Sequence, residues 1–256
     1  MITIKNDKDI EILRESGKRL AQILRLVSEK VAPGVTASEL NDLAMKLTIE
    51  GGDKAAFFNY HPKGMKRAYP AALCVSINEE VVHGIPNESV KVLKSGDIVS
   101  LDMGLVHKGL ITDMAVTVAV GEVTAELQKL MNITKEALNI AIKASQAGNH
   151  IGDIGFAIER FVRPYGYGIV EDLCGHGVGY KVHEDPFVPN FGEKGKGEKL
   201  RSGMVIAIEP MLNMGTHKVK LMKDDYTYTT ADSLPSAHFE HTILITKNGA
   251  EILTKE

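Results

Sequence analysis

Four acidic residues lie inside stretches of this chain that otherwise resemble hydrophobic β-strands. Carboxylates are rarely buried unless they are paired or bound to a metal. One such residue could face solvent from an edge strand, but four together predict a fold that gathers them around a shared polyvalent cation. They are Asp102 in IVSLDM (98–103), Asp113 in TDMAVTVAV (112–120), Glu209 in MVIAIE (204–209) and Glu240 in FEHTILI (239–245).

A histidine between two glycines is a fifth candidate ligand. His176 lies in the run GHGVG (175–179), and glycine lets a backbone come close to a ligand. Alone, the run also fits an ordinary loop histidine, and it lacks the Lys-Ser/Thr pair of a phosphate-binding loop. With the four carboxylates, His176 forms an oxygen-rich set that suits a pair of Mn, Fe(II), Co or Zn ions.

Two more histidines lie beside the ends of predicted strands. His83 precedes Gly-Ile-Pro, and His183 precedes Glu-Asp-Pro. Both fit surface loops equally well. Near a metal centre, they could donate hydrogen bonds to a substrate carbonyl or to a leaving amine.

Hydrophobic periodicity predicts four helices, at about 7–31, 36–50, 124–147 and 153–164. Thr36 and Glu39 have the spacing of a capping box at the start of the second helix. Strand patterns occur at 72–77, 98–103, 112–120, 178–182, 204–209 and 239–246. Lys108-Gly109 lies between two of these strands and predicts a hairpin turn.

The predicted order helix, helix, strand, strand occurs twice along the chain. LKSGDIVSLD (93–102) is similar to LRSGMVIAIE (200–209), and this match aligns Asp102 with Glu209. We therefore expect one catalytic domain over 1–256, built from two related halves of about 1–121 and 122–256. The halves would pack about a pseudo-twofold axis with the site between them.

The composition argues against several classes of partner. Thirty Lys and Arg against 33 Asp and Glu give a net charge of −3, so electrostatic binding to nucleic acid or to an anionic membrane is not expected. No stretch has the apolar length of a transmembrane helix. The chain begins without the pattern of a secretory signal and has two cysteines, so we expect a cytoplasmic location.

The ordered ligand set resembles that of the methionine aminopeptidase family. The resemblance extends over nearly the whole chain and includes GHGVG, Ile-Glu-Pro at 208–210, Glu-His-Thr at 240–242 and SINEEVVHGIP at 76–86. The short stretch between His176 and Glu209 has no room for the helical insertion of type 2 enzymes. The chain is therefore similar to the type 1, bacterial-like enzymes.

The resemblance implies a fold, a cofactor and a ligand set. The fold is the α/β (α+β) pita-bread fold, in which two pseudo-twofold-related halves form an antiparallel sheet covered by helices. The cofactor is two divalent metal ions, drawn from Co, Mn, Fe, Zn or Ni. The implied metal ligands are Asp102, Asp113, His176, Glu209 and Glu240.

The resemblance also implies catalytic and substrate-binding residues. Glu209 would move a proton from the attacking water to the leaving amine. His83 would contact the scissile amide or its nitrogen, and His183 would donate a hydrogen bond to the carbonyl oxygen. The methionine pocket would be lined by Tyr69, Cys74, Val182 and Tyr226.

The implied reaction removes the initiator methionine from newly made proteins whose second residue is small. A water or hydroxide held between the metals would attack the first peptide bond. The implied partners are nascent polypeptides that begin with Met. The resemblance also allows a transient contact with ribosomes, and a monomer is the default expectation.

An X-Pro aminopeptidase or dipeptidase of the same fold is an alternative. A non-enzymatic interaction module would lack metal ligands, and a carboxylate-pair glycosidase would need two acids alone.

Overall fold

A central antiparallel sheet with helices packed against it organises the chain. The computed structural model describes residues 2–62 and 64–256. The helices are α1 (Asp7–Ser28), α2 (Ala37–Glu50), α3 (Ala125–Ala144) and α4 (Ile151–Val162), and a 3-10 turn covers Arg163–Tyr165. The strands are β1 (Lys54–Ala55), β2 (Cys74–Ile77), β3 (Glu80–Val82), β4 (Ile98–His107), β5 (Leu110–Ala119), β6 (Gly168–Ile169), β7 (Gly175–Gly177), β8 (Glu184–Val188), β9 (Val205–Ile208), β10 (Met211–Asn213), β11 (Val219–Leu221), β12 (Tyr228–Thr230), β13 (Ser236–His238), β14 (Glu240–Thr246) and β15 (Gly249–Ile252).

The central sheet joins strands from both ends of the chain. Its order is β1-β4-β5-β14-β9-β7-β8, with β2 paired to β4 and β15 paired to β14. Smaller sheets have the orders β13-β10-β6 and β11-β12-β3. The predicted hairpin is confirmed: β4 pairs with β5 along its full length, and the turn residues Lys108 and Gly109 have φ of 48° and 84°. Positive φ at both turn residues is typical of a two-residue hairpin loop.

Around the candidate ligands, the strands of the central sheet have one apolar and one polar face. Leu101 and Met103 of β4 belong to a buried cluster with Leu20 and Leu24 of α1. Successive residues of a strand project to opposite faces, so Asp102 projects away from this helix.

The same division holds in the second part of the chain. Ile206 of β9 and Ile243 of β14 belong to a second cluster with Leu138 of α3 and Ile154 of α4. The helices thus pack against one face of the sheet, and the opposite face carries polar side chains at the site and, farther along β9 and β14, an apolar cluster of Val205, Ala207 and Leu244 with Leu13 of α1.

Most of the predicted elements are confirmed. The four predicted helices correspond to α1–α4, and Thr36 and Glu39 form the predicted capping box. The predicted strand at 178–182 is wrong, because this segment is a loop between β7 and β8. Gly179 has φ of 138°, a region that L side chains rarely adopt.

Two other expectations concern the chain as a whole. The division into related halves at about 1–121 and 122–256 stays a prediction, which superposition of the two segments would test. Within residues 2–62 and 64–256, no helix combines the length and hydropathy needed to cross a membrane.

Leu20 provides a test of the packing of α1 against the sheet. Leu20 is 0% exposed, so we expect Leu20→Ala to lower the free energy of unfolding by ~2–5 kcal/mol, through lost burial and the cavity left behind. Ile49 in α2 is 65% exposed, and Ile49→Ala should change it by less than ~0.5 kcal/mol. Urea denaturation of both variants measures the difference. Equal losses would contradict the assignment of Leu20 to the core.

Candidate metal centre

Strand register places three of the predicted acidic ligands on one face of the central sheet. Asp102 of β4 pairs with Ala115 of β5, and Ala115 pairs with Glu240 of β14. Directly paired residues of antiparallel strands project to the same face. Asp113 lies two residues before Ala115 and therefore projects to that face as well.

The remaining two predicted ligands arrive from the other side of β14. His176 of β7 pairs with Ala207 of β9, and Ala207 pairs with Thr242 of β14. Glu209 lies two residues beyond Ala207, just after the end of β9, and so projects to the same face as Glu240.

The ligand atoms converge. One ligand atom from each of Asp113, His176 and Glu240 lies within 4.8 Å of the others. His176 Nε2 is 3.7 Å from Glu209 Oε1 and 3.9 Å from Asp113 Oδ2. His176 Nδ1 is 2.9 Å from the Gly177 carbonyl oxygen. With Nδ1 donating to that carbonyl, Nε2 carries the lone pair that faces the acids.

The carboxylates have little access to water. Asp102, Asp113 and Glu240 are 7%, 3% and 2% exposed. Burial raises the pKa of all four acidic residues of the site, and their mutual repulsion raises the pKa of Asp102, Glu209 and Glu240 further. Burial also lowers the pKa of His176 to about 3. Concentrated negative charge beside a neutral imidazole calls for a compensating cation.

Unpartnered oxygen atoms point to the same conclusion. Asp102 Oδ1 and Glu240 Oε1 are buried and accept no hydrogen bond from the described part of the chain. A buried acceptor without a partner is costly, and a divalent cation would satisfy both oxygens. Carboxylate oxygens with one imidazole nitrogen form a ligand set that suits Mn, Fe, Co or Zn. The residues therefore fit a divalent metal centre.

A threonine holds one of these acids by its backbone. The Thr242 hydroxyl accepts a hydrogen bond from the Asp113 backbone N–H at 2.8 Å and donates one to the Asp113 carbonyl at 2.7 Å. These bonds join β14 to β5 where their regular pairing stops. They fix the position from which the Asp113 side chain projects.

The acids open onto a small cavity with apolar walls. Its volume is about 230 Å³, below the ~300–1,000 Å³ of pockets for drug-sized ligands, so it suits a single amino-acid side chain. Of the predicted pocket residues, Tyr69, Cys74 and Tyr226 line the cavity. Val182 is buried at 4% exposure but is not among the residues that line it.

The two predicted substrate-contacting histidines both line the cavity. His83 has φ of 59°, and the loss of solvent around its ring, with a contribution from His183, lowers its pKa to about 4. His183 is exposed to solvent. Its Nδ1 lies 3.0 Å from the Tyr60 hydroxyl, and its ring centroid lies 4.5 Å from that of His176.

Sequence reasoning missed several residues of the site. Phe57, Met65 and Tyr228 line the cavity, and the density of aromatic residues over 57–69 is a signal that could have pointed to the first two. Fully buried His238 lies behind the cavity, with Nε2 3.6 Å from Glu209 Oε2. Its position two residues before Glu240, on the adjoining strand, gave no comparable signal.

Comparisons with known proteins agree with this geometry. Residues 11–247 match the model of metallopeptidase family M24. The methionine aminopeptidase of Aquifex aeolicus is 46% identical over 258 residues, which cover 99% of each protein. A crystal structure of methionine aminopeptidase from Thermotoga maritima superposes with a TM-score of 0.95 at 45% identity and covers 100% of both chains. The prolidase of Pyrococcus horikoshii has a TM-score of 0.78 at 26% identity, and the match covers 98% of this chain but 63% of the prolidase.

Substitution of one buried acid tests the metal centre directly. We expect Asp113→Asn to weaken Mn²⁺ binding by more than ~100-fold. Loss of a residue that only hydrogen-bonds to a metal ligand already lowers metal affinity by about 10–100-fold, and loss of a ligand itself should cost more. Exposed Glu122 provides the matched control, and Glu122→Gln should bind Mn²⁺ like the unmodified protein. Isothermal titration of EDTA-treated, dialysed protein measures the affinity. Unchanged affinity in Asp113→Asn would exclude this residue as a ligand.

Proposed function

The chain belongs to metallopeptidase family M24, and we propose that it is a methionine aminopeptidase that removes the N-terminal Met of new proteins when the second residue is small. The observation that carries this proposal is a convergent acid–imidazole site in the wall of a cavity sized for one apolar side chain. The family match and the structural likeness also give the chain the pita-bread fold, as its sequence predicted.

The family uses divalent metal, and the five predicted ligands would hold two ions in this chain. When bound, such ions lower the pKa of water and polarise a peptide carbonyl. The paired rows of the sheet support this assignment, because Asp102 and Asp113 come from one hairpin, His176 and Glu209 come from the other side, and Glu240 lies between them. The ions would be drawn from Co, Mn, Fe, Zn and Ni.

Glu209 would act as the general base and general acid of the reaction. Its side chain is 14% exposed, more than the other acids, and it lines the cavity. The Glu209 carboxylate would take a proton from the attacking water and pass it to the leaving amine. Fully buried His238, 3.6 Å from the other side of this carboxylate, would limit its movement.

His183 and His83 would act on the scissile peptide. If the Tyr60 hydroxyl donates to His183 Nδ1, the proton of that ring resides on Nε2. The Nε2–H could then donate to the carbonyl oxygen as negative charge develops there. His83, on another wall of the cavity, would contact the scissile amide or its leaving nitrogen.

The methionine side chain would lie among Tyr69, Cys74 and Tyr226. The two tyrosine rings meet edge to face, with centroids 5.1 Å apart. Their hydroxyls donate to the Gly84 and Arg67 carbonyls, so their polar ends are already satisfied. The remaining ring surfaces suit a thioether, which packs favourably against aromatic rings.

The X-Pro peptidases of the same fold are less similar to this chain. The prolidase of Pyrococcus horikoshii shares 26% identity, against 46% for the Aquifex aeolicus enzyme. The substrates would therefore be nascent polypeptides that begin with Met. This substrate class implies work in the cytoplasm, with transient contact to ribosomes, and we propose a monomer as the active form.

A peptide assay separates the two activities. Metal-free protein is incubated with Met-Ala-Ser or Ala-Pro-Ser, with and without added Mn²⁺ or Co²⁺. We expect metal-dependent release of Met from the first peptide alone. Cleavage of Ala-Pro-Ser alone would replace the proposal with an X-Pro peptidase. Absence of cleavage with stoichiometric metal bound would favour an interaction module.

Substitution of His83 tests whether this residue acts in catalysis without binding metal. We expect His83→Ala to lower kcat for Met-Ala-Ser by about 10²–10³-fold, the usual cost of removing one donor to the reacting groups. Mn²⁺ affinity should stay unchanged, because His83 is outside the ligand set. Weakened metal binding in this variant would mean that His83 is itself a ligand.

A further inference from the structure

An almost fully enclosed lysine lies outside the candidate metal centre. The Lys5 side chain is 0% exposed, and its ammonium nitrogen lies 2.8 Å from Glu184 Oε2, on a side chain that is 5% exposed. Lysine is rarely buried without a partner. The ion pair joins the segment before α1 to the first residue of β8, which directly follows His183.

The Glu184 carboxylate holds two parts of the chain together. Its Oε2 accepts hydrogen bonds from the Thr3 hydroxyl at 2.5 Å and from the Lys5 ammonium at 2.8 Å. Its Oε1 accepts the backbone N–H groups of Tyr180 and Lys181 at 2.5 and 3.0 Å. One side chain therefore ties loop 178–183 to residues 3–5.

Lys5 also packs directly against this loop. A Cβ atom at Gly179 would lie 2.4 Å from Lys5 Cε, so the lysine stem occupies the space that the glycine leaves open. The Lys5 ammonium lies 4.3 Å from the centroid of the Tyr180 ring. The Lys5 backbone N–H donates to the Gly203 carbonyl at 2.8 Å, which fixes the lysine relative to the sheet.

His183 depends on this loop for its position. It is exposed, so core packing does not restrain its ring. Loop 178–183 lies between β7 and β8 outside the regular strands, and backbone hydrogen bonds join its first two residues, Val178 and Gly179, to β9 and β5. The His183 ring nevertheless lies beside His176 and within 3.0 Å of the Tyr60 hydroxyl. The backbone that carries the ring must supply that precision.

We propose that Lys5, through its buried ion pair with Glu184, is a positioning residue that holds loop 178–183 so that His183 meets the substrate carbonyl. The proposal rests on the function proposed above. Loss of the ammonium leaves the Glu184 carboxylate buried without its counter-ion, and the loop must shift to hydrate it. A shift of about 1 Å at a catalytic group can cost ~10²-fold in rate.

The test compares Lys5→Met with a matched variant in the same part of the chain. Methionine keeps the length of the stem and removes the charge. We expect kcat for Met-Ala-Ser to fall about 10- to 100-fold, with a smaller change in KM and unchanged Mn²⁺ affinity. Arg14 of α1 makes a partly exposed ion pair with Glu251 of β15, so Arg14→Met should keep the kcat of the unmodified enzyme.

Two further backgrounds separate positioning of His183 from a general loss of structure. In His183→Ala protein, Lys5→Met should cause no additional loss of kcat. In His83→Ala protein, whose His183 is intact, Lys5→Met should lower kcat by the same factor as in the unmodified enzyme. Equal losses in both backgrounds, or an unchanged kcat in Lys5→Met alone, would overturn the proposal.

A milder variant keeps the proposal testable if Lys5→Met does not fold. Thr3→Val removes the hydroxyl that donates to Glu184 and accepts from the Lys5 ammonium, and it leaves the ion pair in place, so we expect kcat to fall about two- to tenfold, the worth of one or two such bonds. This loss of kcat should also be absent in His183→Ala protein.

If the unmodified, metal-loaded enzyme releases no Met, the proposed function fails. If it is active and neither variant slows it, only the role of Lys5 fails.

Discussion

The cost of burying several carboxylates side by side governs this structure. Burial and mutual repulsion raise the pKa of these acids, and two of their oxygens have no hydrogen-bond donor within the described residues. A bound cation would offset this cost, and a rigid backbone is needed to hold the acids side by side. The central sheet supplies the rigidity, because Asp102, Ala115 and Glu240 are joined in one row by strand pairing.

Around the site, one face of the sheet packs against the helices and the other face carries the candidate metal ligands. Along β4, Leu101 and Met103 pack against α1, while Asp102 between them projects into the site. In β9, Ile206 packs against the helices of the second part of the chain, while Val205 and Ala207 belong to a separate apolar cluster with Leu13 of α1. Apolar burial in these clusters stabilises the fold and offsets the cost of the charge carried at the site.

The groups that would contact substrate are held differently from the metal ligands. His183 lies on a loop rather than in a strand, and an exposed ring on a loop has few restraints of its own. The buried pair of Lys5 and Glu184 supplies restraint from a segment far away in sequence. Tyr60 supplies a second restraint by its hydrogen bond to His183. His183 would thus contact the substrate from a restrained loop, whereas strand pairing holds the metal ligands.

The sequence by itself determined the features that depend on local signals. The helices and the capping box at Thr36 follow from periodicity and capping chemistry, and the candidate ligands follow from acids placed in apolar strands. Only the tertiary structure decided which distant residues meet. The segment 178–182 resembles a strand, yet Gly179 and the long-range contact of Glu184 with Lys5 make it a loop. The proximity of His238 to Glu209 likewise gave no signal in the sequence. The physical reason is that pattern and propensity act between near neighbours, whereas strand register and ion pairs between remote segments form only when the whole chain has packed.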